Sequence, residues 1–167
     1  MRTYLAISST SFGLSLLLLA APATSRAQNL FVGNQANRTI EEFDTNGAGT
    51  VFASSGVDVA EGLAFDSGGT LYAAYFNGST IEKFGPNGVG SVFASSGLNK
   101  PVGLAFDRSG NLYVANNGNN TIEKFGTNGV GTVFASSGLN SPHGLAFDSS
   151  GNLYVANGGS ETIEEFD

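Results

Sequence analysis

The sequence has one histidine, His143, set in Pro142-His-Gly-Leu-Ala. Its side chain is the one type whose ordinary pKa, near 6.5, allows general acid or base chemistry at neutral pH. The residues 41 and 82 places earlier are Val102 and Glu61, so one point of a recurring unit carries an acid, an apolar residue and a base in turn. A catalytic zinc takes about three protein ligands, which this trio does not supply. The reading is therefore no metal, no cofactor and no firm catalytic residue, with His143 the sole weak catalytic candidate and Glu61, Val102 and His143 the ligand-contact candidates.

Other polar residues recur with the same spacing. Asp66, Asp107 and Asp148 each end an apolar run and lead into a turn containing Ser or Gly. Such aspartates accept hydrogen bonds from their own turn's amides; a calcium site would need six to eight oxygens converging on one point. Glu41, Glu82, Glu123 and Glu164, followed by Glu42, Lys83, Lys124 and Glu165, read as a solvated face. Val-Phe-Ala-Ser-Ser-Gly occurs three times, from 51, 92 and 133, without a Gly-X-Ser-X-Gly elbow or a repeated histidine, so a hydrolase triad is not indicated. Residues 116–120 do not match a phosphate-binding loop.

The elements that position these residues follow from the repeat. Leu112–Asn152 matches Leu71–Asn111 at 30 of 41 positions without a gap. In the third unit Gly103–Asp107, Leu112–Asn116, Thr121–Phe125 and Gly131–Ala135 are short apolar runs separated by Gly- and Asn-rich turns. The Asn-Gly pairs at 46–47, 87–88 and 128–129 are strong turn signals, because both residues tolerate positive φ. Four strands per 41 residues is the period of a β-propeller blade. Glycine at 24 residues and charged residues at only 13% suit an all-β chain, and no helical apolar stripe appears after residue 28.

Leu-Tyr-Val-Ala and Gly-Leu-Ala-Phe are apolar on both faces, as in sheets covered on both sides. The third run is more amphipathic and belongs further out. Gly62, Gly103 and Gly144 open the first runs and would let backbones crowd near an axis. In such a wheel Glu61, Val102 and His143 ring the mouth of the central channel.

The pattern Pro-X-Gly-Leu-Ala-Phe-Asp, Ser-Gly-Asn-Leu-Tyr-Val-Ala-Asn, Gly-Asn-Asn-Thr-Ile-Glu-Lys-Phe resembles the NHL repeat over essentially all of residues 29–167. The resemblance implies a propeller, commonly six-bladed, whose face loops bind protein, nucleic acid or small molecules. Pro-His-Gly also resembles the corresponding element of streptogramin-type lyases and the amidating lyase, which are NHL-like propellers with functional channel histidines. Where NHL repeats usually carry aspartate after Tyr-Val-Ala, this chain has Tyr75, Asn116 and Asn157; where a basic residue usually precedes the isoleucine, it has Thr80, Thr121 and Thr162. These departures weaken any carry-over of the positive surface by which some members hold RNA.

Residues 1–27 read as a secretory signal: Met1-Arg2, an apolar stretch from Phe12 to Ala21, then Ser25-Arg26-Ala27. The stretch is short of the roughly 20 apolar residues a membrane span needs. Cleavage leaves 28–167 as propeller blades, with five basic residues against 14 acidic ones and a formal charge near −9. That charge repels nucleic acid and anionic lipid. With no cysteine, stability rests on packing and strand pairing rather than disulfides.

The expectation is a secreted or periplasmic binding scaffold for a protein, glycan or small molecule, with no nucleic-acid or membrane partner after cleavage. The alternative is a lyase or lactonase-type propeller with His143 at the channel. Residues 29–167 hold about three and a half units, 14 runs in all, fewer than the about four to eight blades of a closed ring. An incomplete arc exposes blade faces worth on the order of 10 kcal/mol each. Either the chain is a truncated piece of a longer one, the favoured reading, or copies associate to complete a ring.

Overall fold

The computed structural model describes residues 5–8, 29–54 and 58–167. These form four sheets and no helix. The first sheet holds β1 (Leu5–Ser8), β2 (Leu30–Asn34), β3 (Thr39–Phe43) and β4 (Gly49–Ala53). The second holds β5 (Ala60–Phe65), β6 (Leu71–Tyr75), β7 (Thr80–Phe84) and β8 (Gly90–Ala94). The third holds β9 (Pro101–Phe106), β10 (Leu112–Asn116), β11 (Thr121–Phe125) and β12 (Gly131–Ala135). The fourth holds β13 (Pro142–Phe147), β14 (Leu153–Asn157) and β15 (Thr162–Phe166). Each sheet is a blade, and the molecule is an incomplete β-propeller.

From β2 onward the 14 strands are those of the repeat. β1 is an addition to the sequence reading: it pairs parallel to β2, Leu5 opposite Leu30, whereas β5, β9 and β13 run antiparallel to their neighbours. The rest of the expected 1–27 leader lies outside the described residues.

The Asn-Gly turns form as expected, with Gly47, Gly88 and Gly129 at φ 80, 72 and 76°, the left-handed region glycine enters without penalty. Three apolar clusters fill the junctions between successive blades, around Phe31 and Leu63, Leu104 and Val114, and Val102 and Val155. Every residue of β6 and β10 is buried, whereas β14 alternates. β10 and β14 share the sequence Leu-Tyr-Val-Ala-Asn; β10 has a blade on either side and β14 has one only.

The third-strand glutamates depart from the solvated face expected of them. Glu123 is 5% exposed and Glu41, Glu82 and Glu164 are half-buried. The cause is the adjoining blade. A Cβ placed on Gly97 would lie 2.8 Å from Glu123 Oε1, and one on Gly138 would lie 3.1 Å from Glu164 Oε1. The Ser-Ser-Gly segments at 95–97 and 136–138 therefore fold over Glu123 and Glu164 of the next blade, and burial pushes the Glu123 and Glu82 carboxyls above their ordinary range.

Candidate functional face

The innermost strands β5, β9 and β13 lie side by side, and each begins with an irregularity in its pairing. Ala60 faces Tyr75 and Gly62 faces Ala74; Pro101 faces Asn116 and Leu104 faces Val114; Pro142 faces Asn157 and Leu145 faces Val155. Glu61, Val102 and His143 are thus residues of β-bulges, which bend a strand and re-aim side chains. The crowding expected of the glycines is present. A Cβ on Gly62 would sit 2.0 Å from the Val102 carbonyl oxygen, and one on Gly103 would sit 1.9 Å from that of His143. Only glycine allows neighbouring backbones to approach this closely.

The three candidates therefore lie along one arc, with different environments. His143 is exposed and Glu61 half-buried; Val102 is 7% exposed and packs in the junction with Tyr113 and Ala115. His143 Nδ1 lies 2.8 Å from the Ser141 carbonyl oxygen, which makes it the protonated nitrogen and leaves Nε2 as the acceptor. Asn117 Nδ2 is 3.5 Å from the same Nδ1. Burial raises the Glu61 carboxyl above its ordinary pKa, and the charge of His143 opposes that rise. The two groups are within electrostatic reach of one another.

The turns between second and third strands complete this face, and sequence reasoning treated them only as punctuation. Phe76 stands beneath the Lys100 ammonium, 5.5 Å from ring centroid to Nζ. Gln35, Phe76, Asn117 and Gly158 are equivalent by the 41-residue offset, and the buried Gln35 Nε2 has no partner among the described residues. The six non-glycine residues with positive φ among the described residues (Arg38, Ser79, Lys100, Asn120, Ser141 and Glu161) all belong to this face. Side chains and amides lock the loops together: Lys100 N donates to Ser79 Oγ at 3.3 Å and Ser141 N to Asn120 Oδ1 at 2.7 Å.

Asn116 and Asn157, the departures from the usual aspartate, hold this frame from below. Asn116 Oδ1 accepts from Asn99 N at 3.1 Å, while Nδ2 donates to Gly97 O at 2.9 Å and Thr121 Oγ1 at 3.1 Å. Asn157 repeats the set with Asn140, Gly138 and Thr162. In the second unit Tyr75 stands there, and its buried hydroxyl has no partner among the described residues.

One signal for the face was present in the sequence. The second and third units differ at eleven positions, and seven of them, 75–79, 100 and 102 against 116–120, 141 and 143, fall here. The framework stays constant while this one surface varies.

The opposite face carries the aspartate turns. Asp107 Oδ1 accepts from Ser109 N at 2.9 Å and Asn111 N at 2.8 Å, and Asp66 and Asp148 do likewise within their own turns. Burial pushes the Asp107 carboxyl up, but the Asn111 side chain and the Asn111 and Ser109 amides outweigh it and leave the pKa below its ordinary value. Among the described residues no three His, Cys, Asp or Glu side chains are grouped to hold a metal ion.

The NHL repeat model matches residues 98–125 and 139–166. No curated protein matches the chain. Among solved structures, a streptogramin B lyase aligns with a TM-score of 0.68 at 14% identity, over 81% of this chain and 49% of that one. A chain of a nidogen/laminin complex aligns at 0.66 and 24% identity, over 81% and 59%. Virginiamycin B lyase from Staphylococcus aureus aligns at 0.65 and 17% identity, over 79% and 49%. The chain spans 49 to 59% of the length of these structures, and at such identities the likeness is one of fold. Two of the chain's units thus match the NHL repeat, and its blades share the fold of these solved structures.

Proposed function

We propose that this protein is an exported, non-catalytic binding scaffold that recognises a protein or glycan through the face bearing Glu61 and His143, with Val102 the packed floor between them. The observation that carries this reading is the concentration of inter-unit differences on that face: a constant framework presenting varied side chains from its loops is the arrangement of a recognition surface. Phe76 and Asn117 supply an aromatic and an amide contact, the kinds of group that anchor binding sites. The acidic surface argues against nucleic acid as the partner. The structural likeness to a nidogen/laminin complex chain is compatible with this reading.

The test is array binding of the exported protein against glycans and peptides, comparing wild type with a Phe76→Ala/Asn117→Ala/His143→Ala variant and with Arg108→Ala on the opposite face. A ligand lost only with the triple variant is the expected result. Binding indifferent to that variant overturns the proposal.

A second reading is favoured by the Glu61 and His143 pairing, since Nε2 of an exposed histidine with its other nitrogen tied to a carbonyl is a competent proton acceptor. A lyase of the streptogramin-acting kind would turn over virginiamycin B and lose that activity with His143→Ala. Turnover abolished in this way would displace the scaffold reading.

A further inference from the structure

The triplet Asn-X-Ser/Thr occurs three times in the chain, at Asn37-Arg38-Thr39, Asn77-Gly78-Ser79 and Asn119-Asn120-Thr121. All three lie in the turns between second and third strands, on the face bearing His143, and all three asparagines are exposed. The first and last are equivalent by twice the 41-residue offset. In both the middle residue is left-handed, Arg38 at φ 54° and Asn120 at φ 56°. In the third unit this reversal brings the Thr121 hydroxyl back onto the asparagine, where Oγ1 donates to Asn119 Oδ1 at 2.9 Å. Asn119 Nδ2 makes no hydrogen bond among the described residues.

The turn itself does not call for an asparagine. In the fourth unit Ser160 replaces Asn119, and its Oγ keeps the contact with Thr162 Oγ1 at 3.0 Å, with Glu161 again left-handed at φ 57°. The second unit is one place out of step. Gly78 stands at the position of Asn119, and Ser79 is the left-handed residue, its hydroxyl accepting from Lys100 N at 3.3 Å. At Asn37 the Thr39 hydroxyl is drawn to Glu41 Oε1, 3.4 Å away. Asn119 is thus the best prepared of the three, with its amide nitrogen free and its amide oxygen already held.

We infer that Asn119, and with it the equivalent Asn37, is the attachment point of an N-linked oligosaccharide. The inference rests on the export reading above, because the exported chain is the one that meets a glycan donor, and it adds a covalent group to the same face. Asn-X-Ser/Thr in a surface loop of an exported chain is the acceptor pattern for such a group. Transfer forms the bond between Nδ2 and the anomeric carbon of a sugar. That carbon's bond to a diphosphate oxygen of a lipid-linked oligosaccharide breaks, the lipid diphosphate leaves with the electron pair, and Nδ2 gives one of its two protons to a base of the transferring enzyme. A carboxamide nitrogen is a poor nucleophile. The hydroxyl bond to Oδ1 draws electron density onto the oxygen and acidifies the Nδ2 protons. The contact is local, so a chain not yet folded can make it as well.

The test weighs intact protein from the exported fraction of the cells that make it and locates any added mass by peptide mass spectrometry. A processed chain heavier than its sequence by an oligosaccharide, carried on the peptides containing Asn119 and Asn37, is the expected result. Thr121→Val and Asn119→Gln should each remove the sugar from the first of these peptides, while Thr121→Ser, which keeps the hydroxyl, should retain it. A processed chain with no sugar on Asn119, or an Asn119 glycan that survives Thr121→Val, would overturn the inference and leave the export reading standing. A chain held inside the cell with residues 1–27 still attached would overturn both.

Discussion

Asn116 concentrates more of the frame than its place in an apolar strand suggests. Its single amide holds the Gly97–Asn99 entry loop and the Thr121 hydroxyl at once. Asn116→Ala should destabilise the fold by about 2–3 kcal/mol, since it orphans buried backbone groups as well as removing bonds; urea denaturation measures it. Glu123 acts in the opposite sense. Its carboxyl pKa is raised by burial, so what it contributes to stability is present below its ordinary pKa of 4.5 and is lost as pH rises through the raised value. Glu123→Gln should therefore stabilise by about 1 kcal/mol at pH 7 and by little at pH 4, as read by thermal melts at both. Asp107, with its lowered pKa, works the other way: its contribution holds above 3.8 and falls as pH drops through the folded value. The aspartate roles were legible in the sequence because an Asx turn is a local structure. The Glu123 environment was not, because the segment that covers it comes from the preceding blade.

At the scale of elements, the strands, their order and the turns were readable because a 41-residue period superimposes three or four copies of each signal. Burial was not, as the pair of identical Leu-Tyr-Val-Ala-Asn strands demonstrates: β10 is closed on both sides and β14 on one. The bulges at Glu61, Val102 and His143 were also hidden, since an extra residue in a strand leaves no mark in composition. Their register depends on glycine. Gly103→Ala would drive a methyl into the His143 carbonyl and should destabilise by about 3 kcal/mol or more, with the loss visible in denaturation and in altered NMR shifts around His143. Phe76 and Asn117 escaped notice as site residues for a related reason: they read as turn punctuation, and only the bulges of the next blade bring them beside the inner strands.

Among the described residues the blades are held by apolar junctions rather than by charge. The ion pair Lys124–Asp107, at 4.0 Å and partly exposed, adds at most about 1 kcal/mol. The outer side of the fourth blade is uncovered: Ile163 is 73% exposed, and Ala146 and Ala156 are exposed beside it. Patches of this kind drive association. Light scattering of the protein at micromolar concentration should therefore report species above monomer mass, and Ile163→Lys should shift them toward monomer. A clean monomer in wild type would remove the idea that copies complete one another's ring.

Gly144 differs from its counterparts in a way that bears on this. A methyl there meets nothing nearer than 3.7 Å, while the equivalent group on Gly62 or Gly103 would collide with the carbonyl of the next blade. An alanine at 144 is harmless so long as the seat beside it stays vacant. Once occupied, whether by a later stretch of polypeptide or by a second molecule, that seat would reject it. A single methyl group thus serves as a gauge of how far the wheel has been built.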